Sequence, residues 1–180
     1  MANTKIGTVV YWRYSSSVLA LFRLMPEEGS KFPGYQAGQY IALRRDDCRL
    51  TKKVVGGDGK VEYVAILDEK GNPKRGAVTH SYSIASAPFE TLENGFLEFY
   101  VILEADEKDV PGRLTESMFR MRPEGDNKLI YFDKIAGEFT LEKRAAGFQN
   151  VVLVGTGTGL APFVAMVKQL HLSPAFHKPH

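Results

Sequence analysis

Apolar and polar positions alternate over short distances through the first 140 or so residues, in runs closed by glycine, proline, serine or aspartate. "KIGTVVYWR" (5–13) and "SVLALFRLM" (17–25) are rich in β-branched and aromatic residues, and "YSSS" between them reads as a hairpin connection. "GQYIALR" (38–44) follows the turn "FPGYQAG", and "VEYVAIL" (61–67) lies between two polar, glycine-bearing clusters. In "FLEFYVIL" (96–103), Leu97, Phe99, Val101 and Leu103 alternate with Glu98 and Tyr100, which predicts a strand with one buried face. A helix is expected at about 112–120, "GRLTESMFR", before the strands "KLIYFD" (128–133) and "GEFTLE" (137–142). Strands this short and this closely spaced imply an antiparallel barrel or sandwich.

From about residue 149 the pattern changes. "VVLV" (151–154) is apolar on both faces, as a parallel strand covered on each side would be. In the helix that follows, Leu160, Phe163, Val164, Val167 and Leu170 form a stripe that Ala161, Ala165 and Met166 widen. Between them "GTGTG" (155–159) offers backbone N–H groups and a helix N-terminus, a pairing suited to a diphosphate. The spacing is not G-x-G-x-x-G, and no acid follows Glu142 to hold a ribose. One strand with one helix cannot bury itself, so this segment predicts the start of a nucleotide-binding domain whose further strands the sequence does not contain.

Composition narrows the setting. Hydrophobic residues at 44% and charged residues at 24% suit a globular chain, and 23 basic against 21 acidic residues give no field for nucleic acid or anionic membrane. Cys48, the single cysteine, excludes an internal disulfide and suits a reducing, cytoplasmic setting. No run approaches the ~20 apolar residues that cross a bilayer. His171, His177 and His180 read as a tail rather than a metal site.

"HSYSIASAP" (80–88) carries more specific information. It resembles the flavin motif R-x-Y-S-x-x-S of the ferredoxin-NADP reductase family, with Tyr82, Ser83 and Ser86 in place and Pro88 just beyond. "GQYIAL" before it, and "LEFYVIL", "GRLT", "GEFTL" and "GTGTGLAPF" after it, match in order, covering roughly residues 5–170 except 45–77. The resemblance implies a six-stranded antiparallel Greek-key β-barrel that binds FAD over residues 1–148, and an incomplete α/β NAD(P)-binding domain over 149–180. It implies hydride transfer between NADP(H) and FAD, then electron exchange with ferredoxin or flavodoxin.

Carried over residue by residue, Tyr82 would lie against the isoalloxazine, with Ser83 near its hydride-accepting atom. His80 and Ser81 complete the motif strand. Tyr100, Val101 and Ile102 would line the ribityl and adenosine side of FAD, and Arg113, Leu114 and Thr115 its diphosphate. Thr158 would sit beside the flavin ring, and Thr156, Gly157 and Thr158 toward NADP.

Two departures stand out. The family's arginine is here His80, an imidazole whose charge depends on pH, so Arg75 or Arg113 would have to share the diphosphate. The family's later strands and helices are absent, which implies the front part of a longer reductase with poor turnover by itself. Other readings are a flavin reductase component serving an oxygenase or a haemoglobin-like module, and a non-flavin barrel that binds a partner. Exposed apolar surface over 151–170 would favour self-association.

Overall fold

The computed structural model describes residues 3–104 and 113–172. Six strands make one antiparallel sheet: β1 (Thr4–Tyr14), β2 (Leu19–Met25), β3 (Tyr40–Arg49), β6 (Arg75–Ser83), β7 (Leu97–Ile102) and β8 (Lys128–Ala136). Their order is β6-β3-β8-β1-β2-β7, the crossed connectivity of a Greek key. The two edge strands meet where Ala85 N donates to Glu98 O at 2.8 Å, which closes the sheet at one end. From that bond β6 and β7 run without backbone pairing between them, and a gap opens in the wall.

Alternation fills the interior. Leu97, Phe99 and Val101 of β7 face Phe22 and Leu24 of β2 and Ile41 and Leu43 of β3, all fully buried. Trp12, Phe22 and Phe99 stack in a column with centroid spacings of 5.4 and 5.1 Å. The β1–β2 hairpin is held by Ser16, whose hydroxyl accepts from Val18 N and Leu19 N.

The 45–77 stretch contains more order than its polar sequence suggests. β4 (Thr51–Val55) and β5 (Val61–Ala65) form a separate two-stranded sheet, so "VEYVAIL" is not a barrel strand. A helix absent from the hydrophobic pattern, α1 (Pro88–Asn94), follows the motif strand. Its signals are local: Pro88 in the first turn, Glu90 accepting from Ala87 N at 2.8 Å, and Gly95 in the left-handed conformation. The expected helix near 112–120 is α2 (Arg113–Phe119), with residue 112 outside the described residues.

Three expectations are corrected. "GEFTLE" is not a strand: Gly137, at φ 115°, turns the chain after β8, and Thr140 caps the short helix α3 (Leu141–Arg144). "VVLV" forms no strand either, because no described segment lies alongside to complete a ladder, and Val152 and Val154 are more than 80% exposed. Helix α4 (Ala161–Leu172) turns only part of the predicted apolar face inward. Ala161, Pro162, Ala165 and Met166 are buried, whereas Leu160, Val167 and Leu170 stay exposed. Ala165 and Met166 seat the helix against Ala37, and the rest of the predicted face stays on the surface. Among the described residues no helix is long and apolar enough to cross a membrane.

Candidate functional site

The gap between the edge strands is a cleft of about 270 Å³. His80, Ser81, Tyr82 and Ser83 form one wall and Tyr100, Val101 and Ile102 the other. Cross-strand pairing sets the faces: His80 lies opposite Leu43 and Tyr82 opposite Ile41, on the interior side, while Ser81 and Ser83 lie on the exterior side. A ligand touching both Tyr82 and Ser83 must therefore lie along the strand edge. Burial, with Glu104 nearby, pushes the Tyr82 phenol above its ordinary value, so the hydroxyl stays protonated. Among the described residues the side chains of Tyr82, Ser83 and Thr158 have no hydrogen-bond partner.

The rim comes from the C-terminal segment. A 3-10 turn, Gly157–Leu160, leads into α4 and brings Thr158, Gly159 and Ala161 to the cleft. Gly157 has φ 55°, and a β-carbon there would meet Ile102 Cδ1 at 3.4 Å. Two contacts hold α4 on the barrel. Lys168 Nζ lies 3.1 Å from Glu90 Oε2 and 3.2 Å from Glu98 Oε1. Glu98, 3% exposed on β7, also accepts from Arg23 Nε at 2.9 Å. Burial works against the Lys168 ammonium, but Glu98 and Glu90 outweigh it and raise its pKa. The second contact is at Gly38, φ 102°, where a β-carbon would stand 1.9 Å from Phe139 O and 2.5 Å from Met166 Cε. No side chain fits there, which explains a glycine in "GQY".

A polar cluster on the other side seats α2. Arg45, nearly buried, donates from Nε to Ser117 Oγ at 3.0 Å and from Nη1 to Lys128 O at 2.6 Å, and its guanidinium grips Asp126. Asp47 receives Ser117 Oγ and Arg120 Nη2. Burial disfavours its charge, but those bonds and Arg45 hold its pKa down to about 2. This arrangement fixes Thr115, whose hydroxyl accepts from Glu104 N at 3.1 Å and which lines the cleft.

Nine of the residues singled out from the sequence share this cleft: His80, Ser81, Tyr82, Ser83, Tyr100, Val101, Ile102, Thr115 and Thr158. Val101 and Leu114 bury their side chains in the core, so only their backbones are available. Arg113 opens α2 outside the lining, and Thr156 and Gly157 lie just behind it on the loop. Arg75 stands five residues along β6 from His80 and donates to Asp47 O at 2.7 Å, so it is committed elsewhere. Ser86 is fully buried, bonded to Tyr35 and accepting from Glu98 N, and holds the closure of the barrel rather than the cleft. Glu104, Gly159 and Ala161 line the cleft without having been singled out; Gly159 and Ala161 lie within "GTGTGLAPF", whereas nothing in the sequence marks Glu104. A larger groove of about 820 Å³ lies between the 141–153 segment and α4, is mostly apolar, and shares no lining residue with the cleft.

No protein-family model matches the chain. The flavohemoprotein of Halalkalibacterium halodurans is 26% identical over 156 residues, covering 86% of this chain and 30% of that protein. The ferredoxin NADP+ reductase of Neisseria gonorrhoeae, solved with bound FAD and NADP, superimposes with a TM-score of 0.62 at 18% identity, over 96% of this chain and 53% of that one. The flavohem-like FAD/NAD-binding domain of the nitric oxide dioxygenase of Vibrio cholerae gives 0.63 at 22% identity, over 92% and 56%. The chain thus spans about a third of the curated relatives it matches and about half of these solved chains. The barrel fold expected from the resemblance is the fold these proteins share with it.

Proposed function

We propose, from this shared fold, that the chain binds FAD in the β6–β7 cleft and is the flavin module of an NAD(P)H oxidoreductase. The observation that carries the reading is the convergence of Tyr82 and Ser83, from one motif, and Thr158, from another more than 70 residues later, on one cleft with unpartnered hydroxyls. The donor set fits the group. Tyr82 and Tyr100 supply aromatic surface, Ser81, Ser83, Thr115 and Thr158 supply hydroxyls, and Gly159 leaves its backbone uncovered toward the cleft. When bound, FAD supplies hydride uptake from a reduced nicotinamide and release of electrons one at a time. The residues of the chain place and polarise. Tyr82, kept protonated, offers a neutral face and a donor, and Ser83 can donate at the strand edge. His80 and Arg113 are the basic groups near the cleft, and Glu104 in its lining disfavours phosphate beside it.

We assign residues 1–148 to the flavin barrel and 149–180 to the start of an NAD(P)-binding domain, with Thr156, Gly157 and Thr158 facing the nicotinamide nucleotide. The electron acceptor proposed is ferredoxin or flavodoxin, in a cytoplasmic setting. A second reading, favoured by the curated flavohemoprotein, makes the acceptor a haem-bearing domain.

The test is the visible spectrum of the purified chain after incubation with FAD and desalting, with the released cofactor identified. Retention of FAD by the parent chain and its loss in Tyr82→Ala support the reading. A folded chain that retains no flavin, or equal retention in Tyr82→Ala and Thr158→Val, overturns it.

A further inference from the structure

The hairpin of β4 and β5 has an apolar face and two edges that no described strand covers. Gly56 N donates to Lys60 O at 2.8 Å at its tip and Ile66 N donates to Leu50 O at 2.9 Å at its base. Those two bonds set the phase of the ladder between them. Glu62 and Val64 turn their backbone groups to β4, and Val61, Tyr63 and Ala65 turn theirs outward. On β4 the outward set is Thr51, Lys53 and Val55. Register places the side chains of both sets on one face, where Val55, Val61 and Tyr63 are 63%, 47% and 48% exposed. A two-stranded hairpin with a bare apolar face has little stability of its own, and a bare edge is a template for another strand.

We propose that two copies of the chain join edge to edge through β5, forming a four-stranded antiparallel sheet with the two β5 strands at its centre. A two-fold axis at Tyr63 sets Val61 opposite Ala65 of the second copy and Tyr63 opposite Tyr63, each pair exchanging two backbone hydrogen bonds. The choice of edge follows from charge. The same operation on β4 would set Lys53 against Lys53, two ammonium groups directly opposite, whereas the outward positions of β5 carry no charge and bring two tyrosine rings together. Lys53 guards the outer edge, so assembly stops at two copies. The hairpin leaves the barrel at the Arg49 and Arg75 ends of β3 and β6, away from His80–Ser83, and the dimer leaves the cleft open.

Sedimentation velocity on the full chain across a concentration series tests the proposal. The parent chain is expected to show a monomer–dimer equilibrium, Tyr63→Lys to stay monomeric, and Lys53→Glu to dimerise as before. Val152→Lys, on the separate exposed surface near α4, is expected to leave the dimer intact. Tyr63→Cys, oxidised with glutathione disulfide, is expected to give a disulfide-linked dimer while Lys53→Cys does not; Cys48 is fully buried and does not compete. This cross-link reports the geometry even if Tyr63→Lys unfolds the hairpin. A parent chain monomeric at every concentration, a Tyr63→Lys chain that associates like the parent, or equal cross-linking from positions 53 and 63 overturns the proposal.

Discussion

Replacing Lys168 with Met tests whether α4 is held on the barrel by charge. The substitution keeps an unbranched apolar stem against the same surface and removes only the ammonium. Lys168 makes two bonds, at 3.1 Å to Glu90 and 3.2 Å to Glu98, with its side chain about a quarter exposed. A hydrogen bond to a charged group is worth roughly 1.5–3 kcal/mol net. Glu98 keeps Arg23 at 2.9 Å, so it is not left alone, and solvent screens part of the pair with Glu90. The loss is therefore about 2 kcal/mol, near the value of one such bond rather than two. It should fall on α4, because the barrel strands hold one another through their own ladders. Native-state hydrogen exchange should show amides of Phe163–Leu172 opening ~30-fold more readily, the factor that corresponds to about 2 kcal/mol. Amides of Phe22, Phe99 and Leu129 should keep their protection. Unchanged exchange in α4, or an equal loss throughout the barrel, would refute the clamp.

Gly38→Ala should cost about 3 kcal/mol or more, combining left-handed strain of ~1–2 with overpacking of ~1–3 against Phe139 O and Met166, and lower the melting temperature by roughly 10 °C in calorimetry. Asp47 ionises at about 2 in the fold against 3.8 ordinarily, so its bonds stabilise fully above about pH 4 and are lost as pH falls toward 2. Asp47→Asn should be less stable than the parent at neutral pH, and the gap should close on acidification in urea titrations at stepped pH. If the cleft binds FAD, His80→Arg, which adds a permanent positive charge to its lining, should tighten it by roughly tenfold in fluorescence titration; equal affinity of the variant and the parent would count against a role for position 80 in phosphate binding.

What the chain order alone determined was local. The alternation in 96–103 fixed the inward faces of β7, because a strand's side chains change sides at every residue whatever surrounds it. The resemblance of "HSYS" to a flavin motif marked His80–Ser83 as candidates, and a strand keeps four consecutive residues together along one edge of the cleft. Pro88, Glu90 and Gly95 held the signals for α1, although its short apolar pattern hid them. Other features depended on what lies beside each segment. "VVLV" has every property of a buried strand, yet a strand exists only with a neighbour to bond, and none is present among the described residues. The same absence decides which side of α4 turns inward, because the barrel offers Ala37 and Gly38 as a seat for Ala165 and Met166 and no described sheet covers Val167 and Leu170. Glu98 reads as a solvent-facing residue until Lys168, 70 positions later, covers it. Glu104 gains its place in the cleft only when β7 ends beside Thr115, because convergence of distant segments is a property of the closed barrel and of no segment within it.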